Sequence, residues 1–290
     1  CTVCGQLAES NITIPATGKH TKGDLITDTP ATCGKVGKGH KNCTVCGAMV
    51  ESNIIINATN KHTAGNWKTT TKATYNATGL DTKYCIVCNA VVETKTVAKL
   101  VKAAAVFKDV KADDWYHDAV SYAYSNNLFK GVSANDFAPA QEMTRAMLVT
   151  VLWRYAGEPA GGSHPFKDVP KGQWYTEAVA WAAKTGVVNG TSADTFDPNA
   201  IITREQMATI LYRYAKSTGL NVSSSANIGG FKDGSKVNGW AKEGMQWAVG
   251  KGLINGSSIN GTILLDPSNG ATRGQVATIL MRYIENIVKA

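Results

Sequence analysis

From residue 104 onward, apolar residues recur at helical spacing. In "TREQMATILYRYA", Met207, Ile210, Leu211 and Tyr214 stand at i, i+3, i+4 and i+7, one face of an amphipathic helix. Thr203 reads as its N-cap and Gln206 as the return partner of a capping box. "TRAMLVTVLWRYA" and "TRGQVATILMRYI" open the same way, but Met147 removes the return partner from the first. Upstream of each lies a second helical pattern: "DAVSYAYSNNLFKG", "EAVAWAAKTGVVNG" and "EGMQWAVGKGLING". Gly131, Gly190 and Gly256 stop these helices, and Pro139, Pro198 and Pro267 follow in the turns.

Each unit therefore predicts helix, loop, helix over roughly 55–60 residues, and one such hairpin cannot bury its apolar face alone. The units open on "FKDV", "FKDV" and "FKDG", each followed by a tryptophan: Trp115, Trp174 and Trp240. They are expected at 104–160, 161–220 and 221–290, packed as a pseudo-threefold spindle. Gly- and Ser-rich linkers, "GEPAGGSH" and "STGLNVSSSANIG", join them.

Residues 1–103 differ in pattern and composition. "CTVCG" begins at residues 1 and 43 and "CIVCN" at 85, and residues 1–42 match 43–84 at 22 of 42 positions, which marks stacked or beaded copies of one unit. The copies are rich in Thr, Ile and Asn, favouring short strands and turns. The fold class expected for the whole chain is mainly α, preceded by small β-rich 42-residue CxxC repeats. All seven cysteines lie in this part and all six arginines lie beyond it. The chain begins inside a repeat, so its natural start is expected upstream and a missing signal peptide carries no meaning. Of the net charge of +8, the first part holds +6. Its lysines are scattered among Thr and Asn, with no arginine and one Trp, which argues against nucleic acid. No apolar run approaches the ~20 residues of a membrane span.

The cysteines admit two readings. A unit running "ATCGKVGKGHKNCTVCG…NKH" groups Cys33, Cys43, Cys46 and His62, and three thiolates with one imidazole can close a tetrahedral zinc site. Disulfides are the alternative outside the cell. The odd count, and Tyr75 standing where the next copy would have its Cys33, argue against a simple disulfide framework. The same substitution also damages the zinc site in that copy, so both readings stay open; zinc is the one cofactor these residues suggest, and wall binding would need none.

Every Thr-Arg pair puts a cation, Arg145, Arg204 or Arg273, at a helix start, where the dipole disfavours it. A guanidinium beside free N–H groups makes a pocket for a carboxylate; a local ion pair with Asp or Glu is the other reading. Nine residues on stand Arg154, Arg213 and Arg282. Nine residues turn a helix by ~900°, so the two arginines face opposite ways. The second set, near helix ends, reads as structural.

The three units resemble the S-layer homology (SLH) family, through F-x-D-V, Trp, Gly, F-x-P, Thr-Arg and an Arg-aromatic helix recurring in register, the third unit departing from the pattern with Gly234 for the Val and Ala241 where the others have Tyr116 and Tyr175. The resemblance implies non-covalent binding of a pyruvylated secondary cell-wall polysaccharide by a secreted protein at the Gram-positive cell surface. It also implies grooves in which Arg145, Arg204 and Arg273 meet loops bearing Asp109, Asp168 and Asp233, with Trp115, Trp174 and Trp240. Each Trp, at the start of an apolar stripe, reads more readily as core, and each Asp as a turn former. The first part resembles Cys-containing spacer repeats of bacterial surface proteins, with no activity implied. A structural S-layer component, with other subunits as partners, is the alternative function. Neither a nucleophile–base pair nor a phosphate loop is present, so no enzyme is expected.

Overall fold

A computed structural model describes residues 3–6 and 18–288; the opening of the first "CTVCG" copy lies partly outside them. The chain divides into two compact units, residues 1–65 with 84–92, and residues 66–83 with 93–290. The 42-residue period is visible in the strands. Three strands, β1 (Lys22–Thr29), β2 (Gly37–Cys43) and β3 (Met49–Ile56), form one sheet in sequence order. The next three, β4 (Ala64–Thr71), β5 (Gly79–Cys85) and β6 (Val91–Val97), start 42 residues later each and keep that order. Between β2 and β3, and again between β5 and β6, CxxC makes a tight knuckle. Cys43 N–H donates to Ala48 O at 2.8 Å and Cys85 N–H to Ala90 O at 2.8 Å. Gly47 (φ +74°) and Asn89 (φ +59°) take the left-handed position that closes each turn, a region open to Gly and tolerated by Asn.

Among the described residues the second unit holds six α-helices: α1 (His117–Ser125), α2 (Arg145–Tyr155), α3 (Thr176–Lys184), α4 (Arg204–Ser217), α5 (Lys242–Gly250) and α6 (Arg273–Tyr283). The structure is 29% helical and 20% strand, so the expectation of a mainly α chain is corrected: it is a mixed α and β protein. Strand is added even inside the third repeat, where "SSINGTIL" folds into a hairpin of β7 (Ser257–Ile259) and β8 (Thr262–Leu264) around Asn260-Gly261, both at positive φ.

The helical hairpin is corrected as well. The main partner of each helix comes from another repeat: α2 packs on α3, α4 on α5, and α6 back on α1. The repeats thereby close into a ring. At its centre the residues just before the three Thr caps exchange backbone bonds in a cycle. Met143 N–H donates to Ala271 O (3.0 Å), Ala271 N–H to Ile202 O (3.0 Å), and Ile202 N–H to Met143 O (2.9 Å). All three residues are buried, beside Phe137, Phe196 and Leu265 from the turns. Burying backbone N–H and C=O groups requires that they be paired, and here each repeat supplies the partner of the next.

Close packing of α4 on α5 depends on Gly244. A Cβ there would lie 2.8 Å from Thr209 Cα, against helix backbone that cannot swing away. Gly244→Val is expected to destabilise the chain by about 1–3 kcal/mol. Gly239→Ala, with nothing near its added carbon, should stay within about 0.5 kcal/mol of the parent. Thermal unfolding of the two variants checks this, and equal melting points would refute the packing argument.

Candidate functional site

The helix starts that carry the arginines are not bare. The first two N–H groups of each go to carbonyls of the following repeat. Arg145 and Ala146 donate to Ala200 O and Pro198 O, Arg204 and Glu205 to Asn269 O and Pro267 O, and Arg273 and Gly274 to Gln141 O and Pro139 O, at 2.8–3.0 Å. The third N–H is capped by Thr144, Thr203 or Thr272. Capping boxes complete the second and third, and the first lacks one, as Met147 requires. The expectation of free N–H groups beside the guanidinium is therefore corrected: those donors are used to close the ring.

The arginine side chains follow the same direction. Nε of Arg145 donates to Phe196 O (2.8 Å), that of Arg204 to Leu265 O (2.7 Å), and that of Arg273 to Phe137 O (2.7 Å). Arg273 also donates from Nη2 to Lys130 O. Arg145 stacks 4.8 Å over the Phe196 ring and Arg273 4.6 Å over that of Phe137. The three arginines are only 5%, 4% and 7% exposed, respectively. Burial pulls their pKa values below the ordinary range, and Asp168 and Asp197 oppose that shift at Arg145, Asp233 and Asp266 at Arg204, and Asp109 at Arg273. Arginine still stays charged. Among the described residues none of the six arginines forms an ion pair, so the local ion-pair reading finds no partner.

The aspartates hold the loops that the arginines reach. Asp109 accepts from Phe137 and Ala138 N–H, Asp168 from Phe196 and Asp197, and Asp233 from Leu265 and Asp266, all at 2.6–2.8 Å. Ala138, Asp197 and Asp266 each sit just before the turn proline at φ +54° to +57°, a strained region for such residues. Both carboxylate oxygens thus offset backbone strain within their own repeat.

Three grooves result, and each draws on all three repeats. The Arg145 groove, about 410 Å³, is walled by Val188–Thr191 and α4 with Arg213, and edged by Trp240. The Arg204 groove, about 370 Å³, takes Leu253–Ser258, Arg282 of α6 and Trp115. The Arg273 groove, about 280 Å³, takes Leu128–Val132, Arg154 of α2 and Trp174. A larger cavity, about 610 Å³, lies among Tyr122, Tyr155, Tyr214 and Tyr283 and contains none of the Thr-Arg arginines.

Three segments of the chain, 106–146, 165–208 and 230–277, match the family model of the S-layer homology domain. Over these residues the chain belongs to the SLH family. It is 31% identical over 188 residues to a surface-layer 125 kDa protein of Lysinibacillus sphaericus, covering 64% of this chain and 16% of that protein. With S-layer protein sap of Bacillus anthracis it shares 30% over 188 residues, 64% of this chain and 22% of the relative. An exoglucanase XynX of Acetivibrio thermocellus shares 29% over 189 residues, 64% and 17%. The chain thus spans less than a quarter of the length of each of these relatives. SLH membership and these relatives place it at the bacterial cell surface, wall-associated and secreted. No helix among the described residues is long and apolar enough to cross a membrane.

Arg145, Arg204 and Arg273 line separate grooves. The core reading of the tryptophans is corrected: Trp115, Trp174 and Trp240 are 66%, 57% and 54% exposed. The buried place beneath them belongs to the next residue, as Tyr175 and Ala241 show. Arg154, Arg213 and Arg282, read from sequence as structural, pair one to a groove with the Thr-Arg arginine of the preceding repeat. Their nine-residue spacing was the signal, because opposite faces of one helix border neighbouring grooves. The set Cys33, Cys43, Cys46 and His62 is not brought together. Cys33 lies in the turn that precedes β2 and Cys43 ends that strand, so β2 separates them. Cys33 and His62 instead meet Cys85 and Cys88, while Cys43 and Cys46 meet His20. Burial pushes the Cys33 thiol up to about 11; N–H groups of Cys88 and Val87 draw Cys85 down to about 5.

Asp233 is buried and makes two charge-assisted bonds to backbone. Asp233→Ala is expected to cost about 2–4 kcal/mol in denaturant unfolding, and Asp233→Asn, which keeps one acceptor, about half of that. A loss below about 0.5 kcal/mol in the Ala variant would contradict the strain-holding role.

Proposed function

We propose that the SLH triplet anchors the chain non-covalently to the cell wall by binding an anionic, pyruvylated secondary polysaccharide in these grooves. The observation that carries this reading is the buried guanidinium bonded to backbone carbonyls and to no carboxylate, the nearby loop aspartates being engaged by backbone N–H groups. A buried charge is costly until paired, and an incoming carboxylate meets a dry, pre-aimed donor fork. A pyruvate ketal supplies that carboxylate on a sugar. The neighbouring exposed indole face suits the apolar side of the ring, and the second arginine adds positive charge at the same wall. Ligand roles for Asp109, Asp168 and Asp233 have less support, since their oxygens already hold backbone. A surface-layer protein and an exoglucanase share a segment of this length, which favours attachment as its common task over catalysis or lattice assembly. The net positive charge of residues 1–103 could contribute only diffuse attraction to the wall.

Sedimentation with purified Gram-positive walls, before and after stripping the secondary polymer, tests this. Binding should depend on the polymer. Arg145→Ala, Arg204→Ala or Arg273→Ala should weaken it at least ~10-fold in whichever groove works, as expected when one partner of a buried charge pair is removed. Trp240→Ala should lower affinity for the Arg145 groove while leaving stability within ~0.5 kcal/mol, because the indole is exposed. Binding indifferent to polymer and arginines would refute the proposal and point to charge attraction alone.

A further inference from the structure

Among its described residues the first unit has almost no hydrophobic core: the buried apolar side chains are Cys33, Cys43 and Cys85, while Leu25, Ile26, Met49, Ile55 and Ile86 are exposed. A unit this small without a core needs a staple of another kind, a disulfide or a metal. The cysteines are where that staple would be.

Cys33 Sγ lies 3.6 Å from Cys85 Sγ, and His62 Nδ1 lies 3.3 Å from Cys88 Sγ. All four ligand atoms fall within 4.8 Å of one another. Tetrahedral zinc, with Zn–S near 2.3 Å and Zn–N near 2.0–2.1 Å, spaces its ligand atoms ~3.5–3.8 Å apart. Three thiolates and an imidazole are a donor set that zinc prefers. Topology brings them together. Cys33 sits in the turn between β1 and β2, His62 just before β4, and Cys85 and Cys88 in the β5–β6 knuckle.

We propose that Cys33, His62, Cys85 and Cys88 bind a zinc ion that ties one 42-residue copy to the next. Two further observations support it. One copy earlier, His20, Cys43 and Cys46 form the same partial cluster, with His20 Nδ1 3.3 Å from Cys46 Sγ. The position that matches Cys33 in that cluster falls before residue 1. One copy later, Tyr75 replaces Cys33, and the 42-residue repeat gives way to the helical repeats before positions matching Cys85 and Cys88 are reached. Both halves of the site are lost together, and Tyr75 instead donates to Asp118 at 2.7 Å. Pairing across copies thus explains why Cys85 and Cys88 persist beside Tyr75. Their sulfur partner is Cys33.

The test uses the full chain, purified reduced and without chelator. Native mass spectrometry and metal analysis should find bound zinc. Cobalt(II) added to the stripped chain should give the visible and thiolate charge-transfer bands of a tetrahedral site. Cys33→Ser and Cys85→Ser should each abolish the tighter uptake, Cys43→Ser should remove only the weaker one at the His20 cluster, and Tyr75→Phe should change neither. If Cys43→Ser removes the tight site and Cys85→Ser spares it, the metal is held within one copy and the cross-copy assignment falls. A chain that takes up no metal, or whose unreduced mass shows a Cys33–Cys85 disulfide, overturns the zinc proposal whether or not the serine variants fold.

Discussion

The second unit depends on backbone pairing at its centre. Met143, Ile202 and Ala271 lie in no regular sheet, yet each is buried and each donates to another repeat in a closed cycle. An unpaired N–H or C=O there would cost about 1–3 kcal/mol. No single repeat can avoid that cost by itself. The same closure supplies carbonyls to the helix starts and packs every second helix on the first helix of the next repeat. An arginine at the first helical position is tolerated because neighbouring carbonyls already face the positive end of the dipole.

The grooves are a consequence of that ring. An aspartate from "FKD" pins a turn whose pre-proline residue is left-handed, and the pinned turn offers a carbonyl to the arginine of the preceding repeat. Three short-range devices, a carboxylate, a strained residue and a proline, therefore set the position of a long side chain from another repeat. The guanidinium arrives fixed and nearly dry. Preorganisation of this kind favours a planar carboxylate over a diffuse anion, since the remaining donors are held in one orientation.

Local chemistry in this sequence was easy to read. The Thr caps, the capping boxes at Gln206 and Gln275, the glycine stops and the threefold Thr-Arg all stand where periodicity and capping place them. Relations between repeats were not legible, since spacing within a segment says nothing about which segment it meets. The helices were read as hairpins, but they pair between repeats. Trp115, Trp174 and Trp240 were read as core because each adjoins an apolar stripe, yet the stripe begins one residue later, at Tyr116, Tyr175 and Ala241. Cys33 was grouped with Cys43 because they are close in sequence, but a strand separates them. The helical bias of residues 104–290 concealed how much strand the chain contains.

The most direct test of the ring account is wall binding by a chain ending at residue 220, which retains two complete SLH repeats. Every groove draws on the third repeat: Trp240 at one, Arg273 at another, and the loop and helix wall of the last. Polymer-dependent binding should therefore fall to background, together with loss of amide exchange protection at Met143, whose N–H loses its acceptor Ala271 O. A folded two-repeat chain that binds the polymer with undiminished affinity would contradict the account, because each repeat would then carry its own complete site.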